Sequence, residues 1–156
     1  LAYGGPPLSF VFFAFFTLVF GGDPTMGVKV GAAFFGALTS IPLYFWVKKA
    51  TLSQLSGVVA MLACVFSALY LRLLNDLLKN AVGAFFLVCF AYFLHPSVTE
   101  GKSRNLFFAA TSLVLTAASH VLDFGVALLL MLAYAMVAPV LPPMPSRSSQ
   151  VLAPTR

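Results

Sequence analysis

Residues 55–94 read LSGVVAMLACVFSALYLRLLNDLLKNAVGAFFLVCFAYFL. The stretch has no proline, and its only glycines are Gly57 and Gly83. Thr51 or Ser53 is placed to cap its start, and His95-Pro96 marks its stop. As one helix it is about 60 Å long at 1.5 Å per residue, against a hydrocarbon core of about 30 Å. Its centre carries Arg72, Asn75, Asp76, Lys79 and Asn80. The fold turns on whether those residues connect two helices or form a polar stripe on one long, tilted helix.

The energetics pull both ways. Each Arg, Lys or Asp at a helix centre costs about 2.5–3.5 kcal/mol to insert, so three facing lipid cost about 8–10 kcal/mol. That favours a connector between helices over 55–71 and 81–94. The connector, however, lacks Gly and Pro, and Leu73, Leu74, Leu77 and Leu78 repeat at helical spacing. The second helix would also be only about 14 residues, short for a span. In a continuous helix Arg72, Asn75, Asp76 and Lys79 fall at i, i+3, i+4 and i+7. Such a stripe must face protein or a water-filled cavity. The sequence leaves both arrangements open.

Working outward, residues 97–104 form a short polar loop, and a second long apolar stretch runs from Leu106 to Leu141. It has no proline before Pro139, one glycine (Gly125), and Ser119, His120 and Asp123 at its centre. So few polar residues leave little room for a turn, so the expectation is one tilted helix of about 54 Å. His120 and Asp123, three apart, then share a face. Upstream, Leu8 to Phe20 and Val28 to Val47 are apolar runs separated by Gly21-Gly22-Asp23-Pro24, which reads as a helical hairpin. Pro42 interrupts the second run, which ends in Tyr44, Trp46 and Lys48-Lys49, a set suited to a membrane interface. The expected fold is all-α and integral to a membrane: a helical hairpin followed by two long tilted helices, or alternatively five to six transmembrane helices. Residues 1–145 make a single membrane domain and 146–156 a polar, exposed tail.

Composition agrees. Hydrophobic residues make up 61% of the 156 and charged residues 8%, where a soluble domain carries about 25% charged residues. The net charge is +5, but the basic residues are scattered and form no phosphate-gripping cluster, so no nucleic acid partner is expected. Cys64 and Cys89 lie inside apolar runs and read as small packed side chains. No metal-ligand cluster, nucleotide loop or nucleophile elbow is visible, and no cofactor is implied. The chain begins at Leu1, and no basic region precedes the Leu8 to Phe20 run. A targeting presequence already removed would suit import into an organelle.

Two over-long helices, one bringing an arginine and the other a histidine and a carboxylate to mid-membrane, point to a proton or ion path. In this the chain resembles subunit a of F-type ATP synthases. Leu71-Arg72-Leu73, with Asn75 and Asn80 downstream, looks like the segment around that family's essential arginine. Leu122-Asp123-Phe124-Gly125-Val126-Ala127 is similar to the Leu-Glu-x-x-Val-Ala segment of its last helix. The match departs from the family where Leu130 and Met131 stand in place of a glutamine and Ala81 in place of a His or Glu. The resemblance implies that Arg72 faces the carboxylates of a c-ring while Asp123, His120, Asn80 and Asn75 line a proton path. It also implies a mitochondrial inner membrane, with a thylakoid membrane as the alternative.

With four crossings, Lys48-Lys49 and the Arg147/Arg156 tail share one side, and the loop with Lys102 and Arg104 lies on the other. A second functional reading is a non-catalytic accessory subunit of a respiratory or photosynthetic complex. Its partners would be other membrane subunits and lipids, and the small residues Gly31, Ala32, Ala33, Gly36 and Ala37 would allow close helix packing. A third is a small membrane enzyme, since Leu74-Asn75-Asp76-Leu77 is loosely similar to a segment of the membrane-bound glutathione transferases.

Overall fold

The computed structural model describes residues 8–67, 78 and 80–137. Arg72, Asn75 and the C-terminal tail lie outside the described residues. Every element among the described residues is an α-helix.

Helix α1 (Leu8–Val19) ends in a reversal at Gly21 and Gly22, whose φ of 78° and 87° suit residues without a Cβ. Asp23 then caps α2 (Pro24–Leu38): its Oδ1 accepts from the Thr25 N–H at 2.8 Å, and Pro24 takes the first turn, where its missing N–H costs nothing. Helix α3 (Ser40–Thr51) follows with only Thr39 between, and Thr39 keeps right-handed helical angles (φ −58°, ψ −28°). The two therefore act as one rod, Pro24–Thr51, 28 residues long. Pro42 does not interrupt it, because it falls in the first turn of α3, where no intrahelical donor is needed. The Thr39 and Ser40 hydroxyls donate to the Phe35 and Ala37 carbonyls at 2.8 and 2.7 Å.

Leu52 closes α3 in the left-handed region (φ 56°), and Ser53 caps α4 (Gln54–Phe66), its Oγ accepting from the Ser56 N–H at 3.2 Å. Helix α4 stops at Phe66, and Ser67 is extended (φ −66°, ψ 115°). A single helix over 55–94 is therefore not formed. The next described helix, α5, runs Asn80–Glu100. It passes through Pro96 and does not stop at His95. The Ser97 and Thr99 hydroxyls donate to the Leu94 and His95 carbonyls at 2.7 and 2.9 Å, so the turn after the proline keeps local bonds of its own. The polar loop shrinks to Gly101 (φ 64°) and Lys102 before α6 (Ser103–Ser119).

The expected single helix from Leu106 is also two. His120 is extended (φ −159°, ψ 126°), and α7 (Val121–Val137) begins just after it. Its direction follows from contacts: Gly83 of α5 faces Asp123, and His95 of α5 meets Tyr134. α7 thus runs parallel to α5 and antiparallel to α6. Counting α2 and α3 together, the described residues form six rods and not a hairpin with two steeply tilted helices; the fold is all-α as expected.

Rings fix the remaining order. Phe35 lies 5.7 Å from Phe85 and Phe45 lies 6.2 Å from Tyr92, so the α2–α3 rod and α5 run the same way. Their ends, with Lys48-Lys49 and the Gly101–Arg104 turn, share one end of the bundle. The four-crossing arrangement that separated these basic groups is therefore corrected. Two small cores hold the rods: Phe13, Ala32, Phe35, Ala81 and Val82 in one, and Phe90, Leu94, Ala109 and Ala127 in the other. The outer surface is apolar, with Phe15, Leu18, Leu55, Phe66, Phe107, Leu129 and Met136 all exposed. Pro24–Thr51 and Asn80–Thr99 are each long and apolar enough to cross a bilayer.

Candidate functional site at the His120 break

The last turns of α6 are weakened locally: the Thr116 and Ser119 hydroxyls donate back to the Ser112 and Leu115 carbonyls at 2.8 and 2.7 Å. The same bond at Thr111 does not interrupt the helix, so it permits the break at His120 without dictating it. Once the chain leaves the helix, the Ser119 carbonyl loses its intrahelical donor. Ser9 of α1, fully buried, supplies one: its Oγ donates to that carbonyl at 3.0 Å. The backbone then restarts, with the Phe124 N–H donating to the His120 carbonyl at 3.1 Å.

The break sets the local electrostatics. His120 stands at the C-terminal end of α6 and Asp123 in the first turn of α7. A helix C-terminus favours a cation and an N-terminus an anion. His120 Nδ1 lies 3.3 Å from Asp123 Oδ2, and both side chains are mostly buried, at 17% and 15% exposed. Among the described residues neither atom has a well-formed hydrogen bond. Asn80 Oδ1, at the start of α5, is likewise buried with no partner among the described residues.

Gly83 makes room for the pair. A Cβ there would overlap the Asp123 carboxylate and lie 2.8 Å from His120 Cβ. Asn80 and Gly83 are one turn apart on α5, so one face of that helix carries both. The result is a buried polar cluster where α1, α5, α6 and α7 meet. A carboxylate steadied by an imidazole, with hydrogen-bonding capacity left over, is equipped to take a proton from a hydroxyl.

Of the residues read as a proton path, the structure brings His120 and Asp123 together and places Asn80 on the neighbouring helix. Arg72 and Asn75 lie outside the described residues. Gly83 is in the first turn of a helix about 31 Å long, so among the described residues the site lies near one end of the bundle. Ser9, Gly83 and Ser119 carry the site and were not singled out from sequence as site residues. The available signal was Gly83, one of only two glycines in the stretch 55–94.

A family model described as dolichyl-phosphate-mannose-protein mannosyltransferase matches residues 4–148. No curated protein and no solved structure matches the chain. The family match overturns the resemblance to ATP synthase subunit a, and with it proton transport against a c-ring and the mitochondrial inner membrane. The accessory-subunit reading finds no support either. The structure gives the physical reason: the resemblance needed two long tilted helices, and the chain ends one at Phe66 and the other at Ser119.

Proposed function

Because the chain belongs to the dolichyl-phosphate-mannose-protein mannosyltransferase family, we propose that it acts in a membrane as a glycosyltransferase, moving a mannosyl group from a dolichyl-phosphate carrier to a protein. The observation that carries this reading is the family match over residues 4–148. The apolar outer surface suits a donor whose lipid chain stays in the bilayer.

In such a transfer an acceptor oxygen attacks the anomeric carbon, and the bond from that carbon to the phosphate oxygen breaks. The phosphate leaves with the electron pair, and the acceptor proton goes to a base. Asp123 is the base we assign, held by His120 and seated over Gly83. Asp23, by contrast, is exposed and committed to capping α2.

The test is transfer of radiolabelled mannose from dolichyl-phosphate-mannose to a serine- and threonine-bearing peptide by the purified chain in lipid nanodiscs. Labelled peptide is expected, and Asp123→Asn should lower the rate by about 100-fold or more while the helical circular dichroism is unchanged. No transfer at any donor concentration would count against the enzyme reading. Undiminished transfer by the variant would move the base elsewhere.

A further inference from the structure

At the end of the bundle away from Asp123, the α3–α4 corner holds an open groove of about 360 Å³ lined by Phe45, Lys48, Lys49, Leu52 and Tyr92. The volume is within the range of small-molecule sites. Both lysines are only partly exposed. The Lys48 ammonium lies 5.5 Å from the centre of the Tyr44 ring, which holds its stem along the helix. Phe45 and Tyr92, 6.2 Å apart, form an apolar wall. Leu52, in the left-handed conformation and 90% exposed, stands at the rim.

Lysines in the last turn of α3 offset the helix dipole, and that accounts for their position. It does not account for a groove with cations on one side and two aromatic rings on the other. The corner lies where the rod meets the membrane surface, and the same end carries Lys102 and Arg104 against one acid, Glu100. The local charge is therefore positive, and this is the side the positive-inside rule assigns to the cytoplasm.

We propose that this groove binds the phosphate headgroup of an anionic leaflet phospholipid, with Lys48 and Lys49 on the phosphate and Phe45, Leu52 and Tyr92 against the first methylenes of its chains. The site is separate from the His120–Asp123 cluster and does not depend on the transferase reading. Each juxtamembrane lysine strengthens binding to an anionic lipid by about fivefold, so two are worth about 30-fold.

The full chain in mild detergent is titrated with short-chain phosphatidic acid, phosphatidylcholine, inorganic phosphate and dolichyl phosphate, with binding read by native mass spectrometry. Phosphatidic acid should bind, phosphatidylcholine much more weakly, and inorganic phosphate should not compete at equal concentration. Lys48→Gln with Lys49→Gln should weaken binding about 30-fold, and Lys102→Gln with Arg104→Gln by less than about threefold. Tyr92→Ala should weaken long-chain phosphatidic acid more than the short-chain form. Equal losses in the two double variants would reduce the effect to general surface charge and overturn the site. Competition by inorganic phosphate would make it a free-anion site, and dolichyl phosphate binding at tenfold lower concentration would replace the leaflet lipid as its occupant.

Discussion

The rod over residues 24–51 contains a proline and continues; the run from Leu106 contains none before Pro139 and turns back on itself. At the first joint, Thr39 stays helical and Pro42 lands in a first turn that needs no donor from it. At the second, His120 becomes extended although nothing in its own covalent geometry requires it. The difference teaches that partners decide where these helices end. The freed Ser119 carbonyl is received by Ser9, and the helix ends on either side of the break receive His120 and Asp123. At the Thr39 joint the backbone N–H of Thr39 still reaches the Phe35 carbonyl and that of Leu43 reaches the Thr39 carbonyl, so the joint is bridged within the same chain segment.

The largest test of that contrast is at Gly83. Glycine to alanine in an open helix is stabilising by roughly 0.5–1 kcal/mol, and Gly125, with open space around it, should behave that way. At Gly83 the new methyl meets the Asp123 carboxylate and His120. Gly83→Ala should instead destabilise by about 2 kcal/mol, read as a lower melting temperature in detergent. A gain at both positions would mean the pair is not seated on α5.

A smaller effect is expected at Ser9. Removing its hydroxyl leaves the Ser119 carbonyl buried without a donor, a loss of about 1–2 kcal/mol. The break would then be less well held, and amide exchange at Val121 and Leu122 should rise. The smallest effect is at Pro42, where Pro42→Ala should change stability by less than about 1 kcal/mol. A large loss there would show that the proline shapes the rod and is more than tolerated by it.

Much of the local structure was legible because it depends on neighbours in sequence. Gly21-Gly22-Asp23-Pro24 is a turn, Ser53 caps a helix, and Lys48-Lys49 closes one. Where the reading failed, the missing term was a longer-range contact. Pro96 reads as a stop, yet α5 runs through it to Glu100, packed against α6 and α7 on the way. His120 reads as mid-helix until Ser9, 110 residues earlier, is found at the Ser119 carbonyl. The spacing of His120 and Asp123 did indicate that they meet, but they meet across a helix break and not on a continuous face. The role assigned to them, a proton path, came from ionisable groups expected at the middle of two over-long helices and from the resemblance; the helices end early, and the family match overturns proton transport.

The account rests on the reversal at His120, which places the Asp123 cluster at one end of the bundle and the lysine groove at the other. Spin labels at Leu106 and Met136, both exposed, measure it directly. A chain that reverses brings these two positions to the same end, with a label separation under about 25 Å for neighbouring and next-neighbouring helices. A continuous helix from Leu106 would hold them about 45 Å apart, and that distance would contradict both the fold and the site built on it.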